Sequence, residues 1–243
     1  CSSDLAPVLF DGVINPLVDF GTLRAVETGD LNGDGRIDIV VGVKYDIGSN
    51  PALSVSLAEA DGGYSQPLYT PISFLPSEVL LNDVNKDGKL DAIVRVSDAV
   101  QVFLGNGDGT FAAPASYGMA GTSALAVGDI DKDGDVDVVS VNSVSSPSNT
   151  TELGVLLGNG DGTFTTGPVG TNPRPAPPSP GIARLADIDL DGDLDLAYSG
   201  YYGVDQDAAV FVRLGNGDGT FADVVHPNGK DFVAAGHGSV TEM

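Results

Sequence analysis

At 243 residues, 42% of them hydrophobic, the chain can bury a real core as one large domain or two small ones, and is too apolar for a disordered tail despite 33 Gly and 15 Pro. Asp and Glu number 34 against 11 Lys and Arg, a formal charge of -23, which excludes a nucleic-acid partner because a phosphate backbone needs clustered cations. No apolar run approaches the roughly 18 residues of a membrane-spanning helix, and one cysteine allows no intrachain disulfide.

In chain order, residues 8–19 read as an outer strand ahead of the first full unit. Four units follow, each built around the pattern D-x-[DN]-x-D-G-x-x-D. The first carries Asp30, Asn32, Asp34, Gly35 and Asp38, then a β-branched run at 37–43 and a worn turn at 57–64. The second carries Asp83, Asn85, Asp87, Gly88 and Asp91, with apolar runs at 90–96 and 100–104. The third carries Asp129, Asp131, Asp133, Gly134 and Asp137, preceded by a run at 124–127 and followed by one at 136–141. The fourth carries Asp187, Asp189, Asp191, Gly192 and Asp195, with runs at 194–198 and 209–214. In the last three units an octamer Leu-Gly-Asn-Gly-Asp-Gly-Thr-Phe begins at Leu104, Leu157 and Leu214. Its Asn-Gly and Asp-Gly pairs are hairpin signals, and a weaker strand follows each, such as 111–119. No segment has convincing helical periodicity. The starting aspartates lie 53, 46 and 58 residues apart. That period predicts an all-β chain of four-stranded antiparallel units, the size of propeller blades.

Oxygen ligands at positions 1, 3 and 5 of a tight loop converge on one point. Glycine at position 6 permits the turn, position 7 offers its carbonyl (Arg36, Lys89, Asp135, Asp193), and the position-9 carboxylate closes the shell. Oxygen ligation without His or Cys favours a hard cation, and the ligand number favours Ca2+ over Mg2+. Four ions would bring the formal charge from -23 to -15. Sites three and four, with four carboxylates each, are expected to bind more tightly than sites one and two. Asp108, Asp161 and Asp218 of the octamers are read as turn formers, and Phe111, Phe164 and Phe221 as packing between units.

The four acidic loops and three octamers resemble the FG-GAP and VCBS repeat family, the calcium-binding blades also seen in integrin α-subunit heads; Phe20-Gly21 is similar to the family's Phe-Gly. The resemblance runs from about residue 20 to 221. It implies a β-propeller whose calcium loops join the first and second strands of each blade. The expected division is an N-terminal segment 1–20 and propeller repeats over 21–243, with blades near 21–74, 75–120, 121–180 and 181–235. Family members more often have seven blades, so an arc or fragment of a larger propeller is expected, with a compact four-bladed ring as the rival.

The calcium loops and octamer turns are expected on one face. The opposite face would carry the variable connections: residues 45–50, 143–151, 172–180, and 198–202 with Asp205 and Asp207. Tyr45, Tyr198, Tyr201 and Tyr202 there are candidates for stacking on sugars or anchoring a protein, against a reading as scattered surface or inter-blade tyrosines; residues 173–180 read as a stiff spacer. His226, His237 and Cys1 assemble into no catalytic set, and the loops account for most paired acids, so a non-enzymatic module is expected. It would act in adhesion or cell-surface recognition of a protein or glycan. The alternative is an accessory or catalytic propeller of a polysaccharide-degrading enzyme. A sole cysteine at position 1 resembles the acylated end of a bacterial lipoprotein, against an arbitrary boundary there. With millimolar-range calcium sites it points to a secreted or outer-surface location.

Overall fold

The computed structural model describes residues 21–45, 51–119, 122–144, 150–168, 170–175, 181–202 and 207–222. The expectations placed on Cys1, residues 8–19, Asp205, His226 and His237 lie outside them, as do residues 46–50, 145–149 and 176–180 of the variable connections.

The described residues form an all-β series of four antiparallel sheets. The first holds β1 (Gly21–Gly29), β2 (Asp38–Tyr45), β3 (Ala52–Ser56) and β4 (Leu68–Pro71) in sequential order. The second holds β5 (Glu78–Asn82), β6 (Asp91–Val96), β7 (Ala99–Phe103) and β8 (Ala115–Gly118). The third holds β9 (Thr122–Gly128), β10 (Asp137–Val144), β11 (Thr150–Gly158), β12 (Phe164–Thr166) and β13 (Gly170–Pro175). The fourth holds β14 (Ala183–Ala186), β15 (Asp195–Tyr202) and β16 (Asp207–Arg213).

The second strands of the first three sheets are buried on both faces, so their apolar residues run consecutively instead of alternating. Val40 and Val41, Ile93 and Val94, and Val138 and Val139 are adjacent pairs of this kind. In sheets two and three one residue of each pair faces the preceding sheet and the other the following one, while in sheet one Val40 faces the second sheet and Val41 the opposite side. Three apolar clusters result. Val40, Leu53 and Leu31 meet Val79, Val94, Phe103 and Phe111 between sheets one and two. Ile93, Val100 and Val84 meet Leu125, Val138 and Phe164 between sheets two and three. Val139, Leu153 and Ile130 meet Ala183, Leu196 and Tyr198 between sheets three and four. The octamer phenylalanines thus pack between sheets, Phe111 edge-on to Phe103 and Phe164 edge-on to Tyr117.

The third and fourth sheets depart from the four-strand expectation. β12 and β13 pair with opposite ends of β11, Gly158 with Phe164 and Thr150 with Pro175, and so make one interrupted outer strand. Residues 172–175, expected in a spacer loop, therefore belong to a sheet edge, where proline's missing N–H costs no ladder bond. In the fourth sheet three strands are described, and the fourth rank is marked by the Gly215–Phe221 bridge. Residues 198–202, expected in a loop, lie in β15. Tyr198 is buried and stacks on Phe211, with ring centroids 5.3 Å apart, so it belongs to the core and not to a recognition surface.

Candidate metal centres

The four acidic windows are the connections β1–β2, β5–β6, β9–β10 and β14–β15, each ending on the first residue of the sheet's second strand. The loops share one backbone course. Position 6 is a glycine with φ of 83–90°, as its place in the turn requires. Position 4 is also left-handed, and there only the first loop has glycine; Lys86, Lys132 and Leu190 hold φ of 58–66°. The sequence pattern gave no sign of that second left-handed residue.

Side-chain oxygens turn inward onto backbone donors. The position-1 carboxylate accepts from the N–H of the position-6 glycine at 2.8–3.0 Å in all four loops. The position-5 carboxylate accepts from the N–H of position 7 at 2.8–3.0 Å. In the first two loops the other position-1 oxygen, of Asp30 and of Asp83, accepts from the position-5 N–H at 3.1 Å. In the last two, Asp129 Oδ1 and Asp187 Oδ1 are buried without a hydrogen-bond partner. A buried carboxylate oxygen left unsatisfied is costly, and a cation is what would satisfy it.

These two loops also bring three carboxylates together. Oxygens of Asp129, Asp131 and Asp137 lie within 4.8 Å of one another, as do those of Asp187, Asp189 and Asp195. Burial and the neighbouring carboxylates outweigh the backbone donors at Asp131 and push its carboxyl above the ordinary aspartate value; Asp189 is likewise raised, by partial desolvation and then by Asp191. Among the described residues no such three-acid cluster forms in the first two loops, where Asn32 and Asn85 replace an acid. There a cation is already supplied by the chain. Arg36 pairs with Asp34, and Lys89 Nζ lies 3.5 Å from Asp87.

The position-9 aspartates do more than the sequence suggested. Asp38, Asp91, Asp137 and Asp195 are all fully buried. One oxygen of each accepts from the N–H of position 2 in its own loop at 2.7–2.9 Å. The other accepts at 2.8 Å from Ala58, Gly105, Gly158 or Gly215, the second residue of each octamer or of its worn counterpart. Each acid therefore bolts the acidic loop to the octamer turn at the same end of its sheet. The approach is close enough that a Cβ on Gly105, Gly158 or Gly215 would lie 2.1–2.4 Å from the carbonyl oxygen of Leu90, Val136 or Leu194. The octamer's own Asp108, Asp161 and Asp218 accept from the N–H of Thr110, Thr163 and Thr220 within the turn, as turn formers do.

Neighbouring loops are joined as well. Lys86, at position 4 of the second loop, pairs with Asp135 at position 7 of the third, and Lys132 of the third pairs with Asp193 of the fourth.

The FG-GAP-like repeat family matches residues 83–140 and 129–198. No curated protein matches the chain. Among solved structures, an Agrocybe aegerita lectin described as recognising non-reducing terminal N-acetylglucosamine aligns over 85% of this chain and 52% of its own, with 24% identity and a TM-score of 0.52. The chain thus spans about half the length of that lectin. The Vibrio cholerae biofilm matrix protein Bap1 aligns over 86% of this chain and 40% of its own, with 16% identity and a TM-score of 0.42.

Proposed function

Over residues 83–198 the chain belongs to the FG-GAP-like repeat family, and from that premise we propose a calcium-loaded binding module that acts outside the cytoplasm without catalysis. The observation that carries this reading is the pair of buried, partnerless oxygens on Asp129 and Asp187, each inside a three-carboxylate cluster. All-oxygen donors of this kind suit a hard cation, and the number of oxygens suits Ca2+. In the third loop Asp129, Asp131, Asp133 and Asp137 would hold it with the Asp135 carbonyl; in the fourth, Asp187, Asp189, Asp191 and Asp195 with the Asp193 carbonyl. The first loop (Asp30, Asn32, Asp34, Arg36, Asp38) and the second (Asp83, Asn85, Asp87, Lys89, Asp91) are the weaker sites. The ion's part is to neutralise the inward carboxylates and fix each loop against its turn.

The four sheets act in this reading as consecutive blades of a β-propeller, near 21–74, 75–120, 121–180 and 181–235. Their rigid ends present connections to a glycan or protein at the cell surface, on the side away from the acidic loops. Fold-level analogy to the lectin motivates the first probe, glycans ending in N-acetylglucosamine. A glycan array probed with and without calcium tests the reading. Calcium-dependent retention of a defined set of glycans, unchanged in length after incubation, supports it; shortened chains would replace it with a polysaccharide-degrading enzyme.

A further inference from the structure

Position 7 of the acidic loop has a use besides its carbonyl. In loops three and four it is an acid, and the side chains of Asp135 and Asp193 are only 16% exposed. Each lies over the octamer turn of its own sheet, against Gly160 or Gly217, where a Cβ would collide with the carboxylate. Asp135 Oδ1 and Asp193 Oδ1 are buried and take no hydrogen bond from their own sheet. The cation that serves each comes from one sheet earlier. Lys86, at position 4 of loop two, pairs with Asp135, and Lys132, at position 4 of loop three, pairs with Asp193. Charge follows the same rule at the first junction. There position 7 is Lys89, which turns back to Asp87, and position 4 of the loop before it is the uncharged Gly33.

These lysines also face the acids that would hold calcium. Asp135 foremost, with Asp133 and Asp129 behind it, keeps the Lys86 ammonium protonated to higher pH than an ordinary lysine. Asp193, with Asp191 and Asp187, does the same for Lys132. In both cases the acids belong to the loop ahead of the lysine. Loop three carries five aspartates, Asp129, Asp131, Asp133, Asp135 and Asp137, and loop four has aspartate at the same five positions. The one at position 7 would give the ion its carbonyl, so its carboxylate adds charge beside the site without being a ligand. The lysine offsets that charge. A unit charge about 6–10 Å from a divalent ion, in a water-like dielectric, changes the ion's affinity roughly four- to tenfold, and salt screens the effect.

We propose, on the strength of the calcium reading of these loops, that Lys86 and Lys132 set the affinity of the calcium site one sheet ahead, each weakening a site to which it contributes no ligand. Calorimetric calcium titration of the chelator-stripped full chain, at about 10 and about 500 mM sodium chloride, tests this. With Asp191→Ala removing site four, K86M should tighten the remaining tight site roughly four- to tenfold at low salt. K86R keeps the charge and should leave that site as it was, and K132M should move it less than about twofold. With Asp133→Ala removing site three, the roles reverse: K132M should tighten the remaining tight site and K86M should not. At high salt both gains should shrink to less than about twofold. Circular dichroism in chelator checks that each variant folds, and K86Q or K132Q replaces one that does not. Calcium affinity unmoved or lowered by K86M at low salt, gains that persist at high salt, or K132M tightening site three as much as K86M does would each overturn the proposal and leave the calcium reading standing. A wild type that takes up no calcium would overturn both.

Discussion

Each fully buried position-9 aspartate accepts from two backbone N–H groups, one in the acidic loop and one in the octamer or its worn counterpart. Removing such an acid costs stability even without metal. Asp38→Ala should orphan the Leu31 and Ala58 N–H groups and destabilise chelator-treated protein by about 2–6 kcal/mol, at roughly 1–3 per orphaned donor. Asp34→Ala, at an exposed position, should leave that metal-free stability nearly intact and weaken calcium binding. Urea denaturation in chelator beside calcium titration separates the two roles. Asp137 adds a pH signature. Burial chiefly, with Asp131 and Asp133 adding, raises its carboxyl from about 3.8 to about 6 in the folded state. The native state therefore holds a proton between about pH 4 and 6 that the unfolded chain has released. Metal-free protein should lose up to about 3 kcal/mol of stability from this group as pH rises through that window, then level off. In the proposed site calcium would compete for the same oxygens, so its affinity should fall as pH drops through about 6. Denaturation series across pH in chelator, and calcium titrations across the same range, check both signs.

Between elements, sheets two and three are held by a clip as well as by apolar packing. Arg95 Nε donates to Glu78 Oε2 at 3.1 Å, Arg95 Nη1 donates to the Thr122 carbonyl at 3.1 Å, and the Leu125 N–H donates to the same Glu78 oxygen at 3.0 Å. Both charged side chains are four-fifths buried. Arg95→Ala should strand Glu78 and cost about 3 kcal/mol, while Lys86→Ala, which removes an exposed lysine, should have a small effect that salt abolishes. Thermal melts at low and high salt distinguish them. None of these cross-sheet partners is near in sequence, which is why the repeat pattern did not reveal them. The strands themselves were legible because residues such as Ile93, Val94 and Val96 form β-branched runs bounded by Asp-Gly turns. The acidic loops were legible because their inward residues lie within nine positions. The break between β12 and β13 was not, since its pairing depends on which end of β11 is free. Nor was the burial of Tyr198, which is set by Phe211 on the next strand.

For the molecule as a whole, electrostatics sets the order in which the proposed calcium sites would fill. A formal charge of -23 on 243 residues repels itself, and much of it is packed into four loops at one end of each sheet. In loops one and two the chain offers partial relief through Asn32 and Asn85 and through Arg36 and Lys89 against their position-5 acids. In loops three and four the acids cluster, and one oxygen in each is buried unsatisfied. The nearest lysines there, Lys86 and Lys132, are engaged with Asp135 and Asp193 and leave those oxygens unserved. Calcium should therefore enter two tight sites before two weaker ones. Calorimetric titration of chelator-stripped protein should resolve two classes, with Asp133→Ala and Asp191→Ala each removing one tight site and Asp34→Ala touching only the weak class. Because specific ligation adds RT ln(1 + [L]/Kd) per site, calcium should raise the melting temperature well beyond sodium chloride of equal ionic strength. Four equivalent sites would mean that cross-loop lysines and in-loop cations screen the carboxylates equally. A melt indifferent to calcium would mean that backbone donors alone hold these loops.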